Sequence, residues 1–115
     1  MSAFKNKYAL GTSPTVLFTL ASNSPNKALL NVQLSNFSAS TTTYVDLYDV
    51  LSTESTSSPP QASFAGRITL QVKGNPEGII PVTGRIYVGG YSLVAISDSN
   101  NVTAIVDGEI TLNLD

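Results

Sequence analysis

A period of two dominates this chain. Leu30, Val32 and Leu34 alternate with Asn31, Gln33 and Ser35, and Ile68, Leu70 and Val72 alternate with Thr69, Gln71 and Lys73. Ile110, Leu112 and Leu114 alternate in the same way with Thr111, Asn113 and Asp115. Successive side chains of a strand point to opposite faces, so this pattern buries one face and wets the other. β-branched and aromatic residues enrich the same runs. Strands are predicted at 15–21, 28–36, 42–50, 66–73, 78–82, 85–89, 91–97, 102–107 and 109–114. Between them lie breakers such as Gly89-Gly90 and the Asn/Asp/Ser run at 97–101. The segment 28–50, ALLNVQLSNFSASTTTYVDLYDV, reads as a hairpin around a Ser/Thr-rich turn. No window carries a capped 3.6-residue period. Short strands at this spacing predict a single all-β domain, an antiparallel β-sandwich of jelly-roll-like form.

Two segments fall outside that rhythm. Residues 1–14 read as an N-terminal arm ahead of a sandwich domain at 15–115, with Phe4 and Tyr8 as apolar anchors. Those rings have two places to go, the domain's own core or another chain. Residues 52–63, STESTSSPPQAS, form a long Ser/Pro-rich loop containing Pro59 and Pro60. A loop of this length is either a mobile crossover between sheets or an arm that orders on a neighbouring subunit.

Composition narrows the partners. Of 115 residues, 42% are hydrophobic and only 12% charged, about half the usual charged share of a soluble domain. The polar surface is therefore built from Ser, Thr, Asn and Gln, which suits a body packed among other subunits. A net charge of −2 with scattered Lys and Arg argues against nucleic acid as a partner. No apolar run is long enough to span a membrane. Lysines ahead of Val16 to Ala21 imitate a signal peptide, but Gly11, Ser13 and Pro14 break the apolar segment, and a strand is the better reading. Without a secretory route, the glycosylation sequons at Asn36 and Asn101 carry little weight.

The inventory for chemistry is short. Cysteine and histidine are absent, which removes disulfides, Ser-His-Asp and Cys-His catalysis and ordinary zinc sites. Asp46 and Asp49 are three apart, so a regular strand sends them to opposite faces. Asp107 and Glu109 could share a face as a glycosidase pair, but Gly108 between them reads as a bulge or turn. The oxygen donors of Asp98, Ser99, Asn100 and Asn101 read as a tight turn rather than a calcium loop. No catalytic residue, cofactor or metal ligand is expected. The tyrosines are the best binding candidates: Tyr44, Asp46 and Tyr48 share one strand face, and Tyr87 and Tyr91 flank Gly89-Gly90. Such rings either line a subunit interface or stack on sugars.

The order of segments resembles a family of small tailed-phage virion proteins. The pieces that carry the resemblance are Thr15 to Leu20, the run Ala28-Leu-Leu-Asn-Val-Gln-Leu-Ser-Asn36, and the Ser/Thr turn at 38–43. Tyr44-Val-Asp-Leu-Tyr48, the step Ile80-Pro-Val-Thr-Gly84 and the closing hairpin at 93–106 complete it. The chain departs from the family in its 52–63 insertion and in Gly89-Gly90 so soon after the proline step. The resemblance implies a non-enzymatic virion structural protein, made in the host cytoplasm and assembled as repeated subunits. It implies a homo-oligomer among other virion proteins, as a capsid decoration or cement protein or as a neck or tail accessory. Contacts are expected from Phe4, Tyr8, Tyr44, Asp46, Tyr48, Pro59, Pro60, Tyr87 and Tyr91. The alternative is a carbohydrate-binding β-sandwich, serving host adhesion and binding glycan on the tyrosine face.

Overall fold

The computed structural model describes residues 2–75 and 78–112. It contains eight strands: β1 (Ser2–Leu10), β2 (Thr15–Leu20), β3 (Asn26–Asn36), β4 (Thr43–Leu51), β5 (Phe64–Leu70), β6 (Ile79–Val88), β7 (Tyr91–Ser97) and β8 (Val102–Leu112). They form two four-stranded antiparallel sheets, ordered β1-β8-β3-β6 and β2-β7-β4-β5. Every strand pairs with the one whose number completes nine: β1 with β8, β2 with β7, β3 with β6, β4 with β5. The chain is thus one long antiparallel ribbon, folded back at 52–63 and wrapped on itself. This is the jelly-roll form of sandwich expected from the alternation, with eight strands where nine were predicted.

The inward positions of both sheets make the core. Leu30, Val32, Leu34, Val45, Leu47, Leu70, Leu93, Val102 and Val106 are essentially inaccessible. β3 alternates buried and exposed residues through its length, so the period read from its sequence is the period of its burial. In β2 a bulge between Val16 and Phe18 breaks strict alternation. It lets the consecutive residues Leu17 and Phe18 both pack on the core cluster.

Several expectations are corrected here. The N-terminal segment is not outside the sandwich: β1 pairs with β8 from Ser2↔Ile110 to Leu10↔Val102. Phe4 and Tyr8 face inward and pack against the domain's own core. The segment 28–50 is not a hairpin, because β3 and β4 belong to different sheets. The 52–63 connection is not a crossover between sheets; it joins hydrogen-bonded neighbours β4 and β5. The break expected between 82 and 85 is a register shift inside one continuous strand β6. Gly108 is no turn either. It lies mid-strand in β8, paired with Phe4 on one side and Leu30 on the other. A Cβ there would stand 2.0 Å from the Leu29 carbonyl oxygen, so β3 and β8 approach more closely than a side chain allows. Residues 113–115 of the last expected strand, and 76–77 of the turn before β6, lie outside the described residues.

Gly89-Gly90 carries the chain from one sheet to the other, from β6 to β7. Gly90 has φ of +97°, a left-handed backbone that glycine adopts without steric cost. Its N–H donates to the Leu20 carbonyl, and its carbonyl accepts from the Ser52 N–H. The turn therefore ties together the ends of β2 and β4.

Candidate functional site

Three surfaces gather the polar and aromatic side chains, and each follows from strand register. The first bridges the sheets at one flank of the sandwich. Arg85 and Tyr87 face inward from edge strand β6, and Asp49 faces inward from β4. The Arg85 guanidinium donates to both Asp49 carboxylate oxygens at 2.7 Å and through Nε to the Tyr87 hydroxyl at 3.1 Å. The Tyr87 hydroxyl in turn donates to Asp49 Oδ1. Burial and the hydrogen bond to Asp49 push the Tyr87 phenol above its usual range. Burial disfavours charge on Arg85, but its bonds to Tyr87 and Asp49 outweigh that and raise its pKa. Behind this cluster, Tyr87 is tilted on Phe18 with ring centroids 6.1 Å apart, and Phe18 stacks on Phe4 at 5.4 Å. Room for these rings comes from small partners in register: Gly108 opposite Phe4 and Ala28 opposite Tyr87. The arrangement latches two sheets together. It has the geometry of a structural tie, with the carboxylate engaged by Arg85 and Tyr87 of its own chain.

The second surface is the outer face of β2-β7-β4-β5. Tyr44, Asp46 and Tyr48 do share it, while Val45 and Leu47 point inward. Asp46 accepts from Arg67 Nε at 2.7 Å and from its Nη2 at 3.0 Å, an in-register cross-strand pair. The Arg67 guanidinium lies 3.8 Å above the Tyr44 ring, and its hydrogen bond to Asp46 raises its pKa. Tyr48 packs edge-on against Phe64 at 5.6 Å. Val50 and Val94 also point outward here, yet both are fully buried. The segment that lies on this side is the 52–63 connection, whose single 3-10 turn (Gln61–Ser63) packs against β4. Pro59 and Pro60 are half-buried within it.

That connection is organised by Glu54. Its Oε1 accepts from the Leu51 N–H at 2.9 Å and from the Ser63 hydroxyl at 2.8 Å. The Leu51 bond first, and then the Ser63 bond, hold the Glu54 carboxyl below its ordinary pKa. The loop is thus closed on itself rather than left as a free arm.

The third surface is the outer face of β1-β8-β3-β6. Register places Ala3, Glu109, Leu29 and Ile86 in one row across the four strands, and Lys5, Asp107 and Asn31 in the next. Asp107 and Glu109 therefore share a face, as a regular strand requires. Ile86 is 68% exposed, Ile79 56%, Leu29 46% and Val88 42%. Lys5, Lys7, Lys27, Asp107 and Glu109 join no ion pair among the described residues.

Of the residues singled out by sequence, Tyr44, Asp46 and Tyr48 stand together, and Tyr87 and Tyr91 both pack on the core cluster from opposite sheets. Phe4 joins Tyr87 through Phe18, whereas Tyr8 lies further along β1. Sequence reasoning missed Arg67, Arg85 and Asp49 as partners, and it missed the exposed aliphatics. The signal for the latter was present. Leu29 sits between Ala28 and Leu30, and Ile86-Tyr87-Val88 is apolar at three successive positions, a pattern of burial on both faces rather than one.

The turn at 97–101 spends its oxygens locally. Asp98 Oδ1 accepts from the Tyr44 N–H at 3.1 Å, and Ser99 bonds the Thr43 hydroxyl at 2.8 Å. Asn36 is also committed: it is 3% exposed, and its amide donates to the carbonyls of Thr41, Leu70 and Gln71. It pins the corner where the chain leaves one sheet for the other. Among the described residues no group of three or more acidic, His or Cys side chains could hold a metal, and no helix is long and apolar enough to cross a membrane. No protein-family model matches the chain, and no curated protein sequence matches it.

Proposed function

We propose that this chain is a non-enzymatic structural subunit of a bacteriophage particle. It assembles in repeated copies as a head decoration or cement protein, or as a neck or tail accessory. The observation that carries the reading is a jelly roll with exposed aliphatics on one uncovered sheet face. Jelly rolls serve viral shells, lectins and cupins alike, and fold alone does not choose among them. The uncovered aliphatics favour assembly, because monomeric proteins rarely leave contiguous apolar patches in water. The resemblance to tailed-phage virion proteins points the same way. The carbohydrate-binding alternative loses support from Arg67, which lies over Tyr44 where a sugar would stack.

Repetition on a shell suits such a surface. Weak contacts at each site gain in aggregate when many copies are held on one scaffold. The test is protein composition of particles purified from the source that encodes this chain. The chain should be present in many copies per particle and should resist washing. Its absence from particles would overturn the reading, and binding to a glycan array that is lost with Tyr44→Ala and Tyr48→Ala would replace it.

A further inference from the structure

We infer that the outer face of β1-β8-β3-β6 is a two-fold interface with a second copy of this chain. The inference rests on the assembly reading and names the partner for that face. Three observations lead to it.

First, the sheet edges are guarded while the face is not. β1 carries Lys5 and Lys7, β6 carries Pro81 and a register shift, β2 carries a bulge, and β5 has a register shift beside Gly66. Charge, proline and bulges on edge strands oppose strand addition. Growth by sheet extension is disfavoured, so a partner for this sheet packs against its face.

Second, the charges on the face complement their own reflection. Neighbouring strands stand about 4.8 Å apart, and same-face neighbours along a strand about 6.7 Å apart. On that grid Leu29 and Ile86 are adjacent in one row, with Glu109 next to Leu29 in the same row and Lys27 one step along β3. An in-plane two-fold axis running close to Leu29 and Ile86 sets each of them against its own copy. The same axis sets Lys27 of each copy against Glu109 of the other. A two-fold contact demands this reciprocity, and both groups lack an ion-pair partner among the described residues.

Third, the area suffices. The molecule extends 46 × 28 × 18 Å, and its broad side accommodates the roughly 800 Å² per partner of a specific interface. Leu29, Ile86 and Val88 cluster toward the β6 edge with Lys27, Glu109 and Asp107 on their β3 and β8 side, an apolar core with a polar rim along one side.

The experiment is molar mass in solution over a concentration series, by sedimentation equilibrium. The native chain should form dimers. Ile86→Asp should raise the dimer dissociation constant by about thirtyfold or more. Thr69→Asp, on the outer face of the other sheet, should leave it unchanged. Lys27→Glu and Glu109→Lys should each weaken the dimer, and the double swap should restore it. Circular dichroism and thermal melting verify that each variant is folded. A native chain monomeric at every concentration, a dimer indifferent to Ile86→Asp, or a double swap without rescue would each overturn the inference. Particle composition is a separate readout: a monomer still present on particles sinks this inference alone, whereas a dimer absent from particles sinks the assembly reading alone.

Discussion

The two outer faces of this sandwich have the same strand count and opposite treatments. On β2-β7-β4-β5 the chain covers itself. Arg67 pairs with Asp46 and lies on Tyr44, Phe64 packs on Tyr48, and Val50 and Val94 are buried although they point away from the core. Val16 and Phe64 stay partly open there, though the largest exposures, at Ile86 and Ile79, belong to the other face. On β1-β8-β3-β6, Lys5, Lys7, Lys27, Asp107 and Glu109 join no ion pair among the described residues, and aliphatics face solvent. A sheet with both faces covered needs apolar residues at both phases of its alternation, and both sheets have them. One is covered by side chains of its own strands, and the other has no such cover among the described residues. The difference marks the face at which the proposed second copy would pack.

Substitutions can break that comparison. The largest effect is expected at Gly108, in the sheet with the open face. Gly108→Ala forces a methyl into the Leu29 carbonyl and should cost about 1–3 kcal/mol or more, read by urea denaturation. If its cost is negligible, β3 and β8 do not approach as described. Next come two outward valines of the same type. Val94→Ala should cost about 1.5–3 kcal/mol because its side chain is fully buried. Val88→Ala on the open face should stay within about 0.5 kcal/mol for the monomer. Equal costs would erase the distinction between the faces.

Smaller effects follow from titration. The Tyr87 phenol has a folded-state pKa above its unfolded value near 10. Its contribution is therefore complete below about pH 10 and lost as pH rises beyond that. Stability measured between pH 9 and about 11.5 should fall, and Tyr87→Phe should flatten the fall. An unchanged slope would show that the phenol is not held by Asp49. The smallest effect belongs to Glu54, half-buried and depressed in pKa by its bonds to Leu51 and Ser63. Its stabilisation is present above the unfolded value of 4.5 and declines as pH drops through the folded one. Glu54→Gln should remove that acidic slope from the local opening of 52–63, followed by hydrogen exchange at the Leu51 amide.

Much of this was legible in the sequence, and the failures have physical causes. Alternation in β3 and β4 identified buried faces correctly, because burial is what the period records, whereas Leu112, on the apolar phase expected for the last strand, is 55% exposed. It could not tell which sheet a strand joins, since a hairpin and a sheet-to-sheet corner have the same local pattern. Hence 28–50 read as a hairpin. The corner's signature is instead a buried amide, Asn36, reaching the end of β5. β1 was hidden because Lys5 and Lys7 guard its edge, although Phe4, Tyr8 and Leu10 keep the strand phase. Breaks at 83–84 and at Gly108 are backbone adjustments inside strands, and a glycine looks the same in a turn as beneath a crowding carbonyl. At the candidate surfaces, the shared face of Tyr44, Asp46 and Tyr48 was readable from spacing. Arg67 and Arg85 were not, because Asp46 meets Arg67 through strand register 21 residues away, and Asp49 meets Arg85 across the two packed sheets, 36 residues away.

The nine-sum pairing of the strands has a kinetic meaning. β4 and β5 close over the shortest loop, while β1 and β8 must meet across most of the chain, Ser2 against Ile110. Loop closure is cheapest for the innermost pair, and distant pairings slow folding. Folding should begin at the 52–63 bend and zip outward, with β1–β8 docking last. Destabilising changes in β4–β5 should then slow refolding, and those in β1 should mainly hasten unfolding. The opposite partition would mean that the ribbon closes from its ends. Until β1 docks, the open face lacks its outermost strand, so the last folding event also completes the surface offered to a second copy.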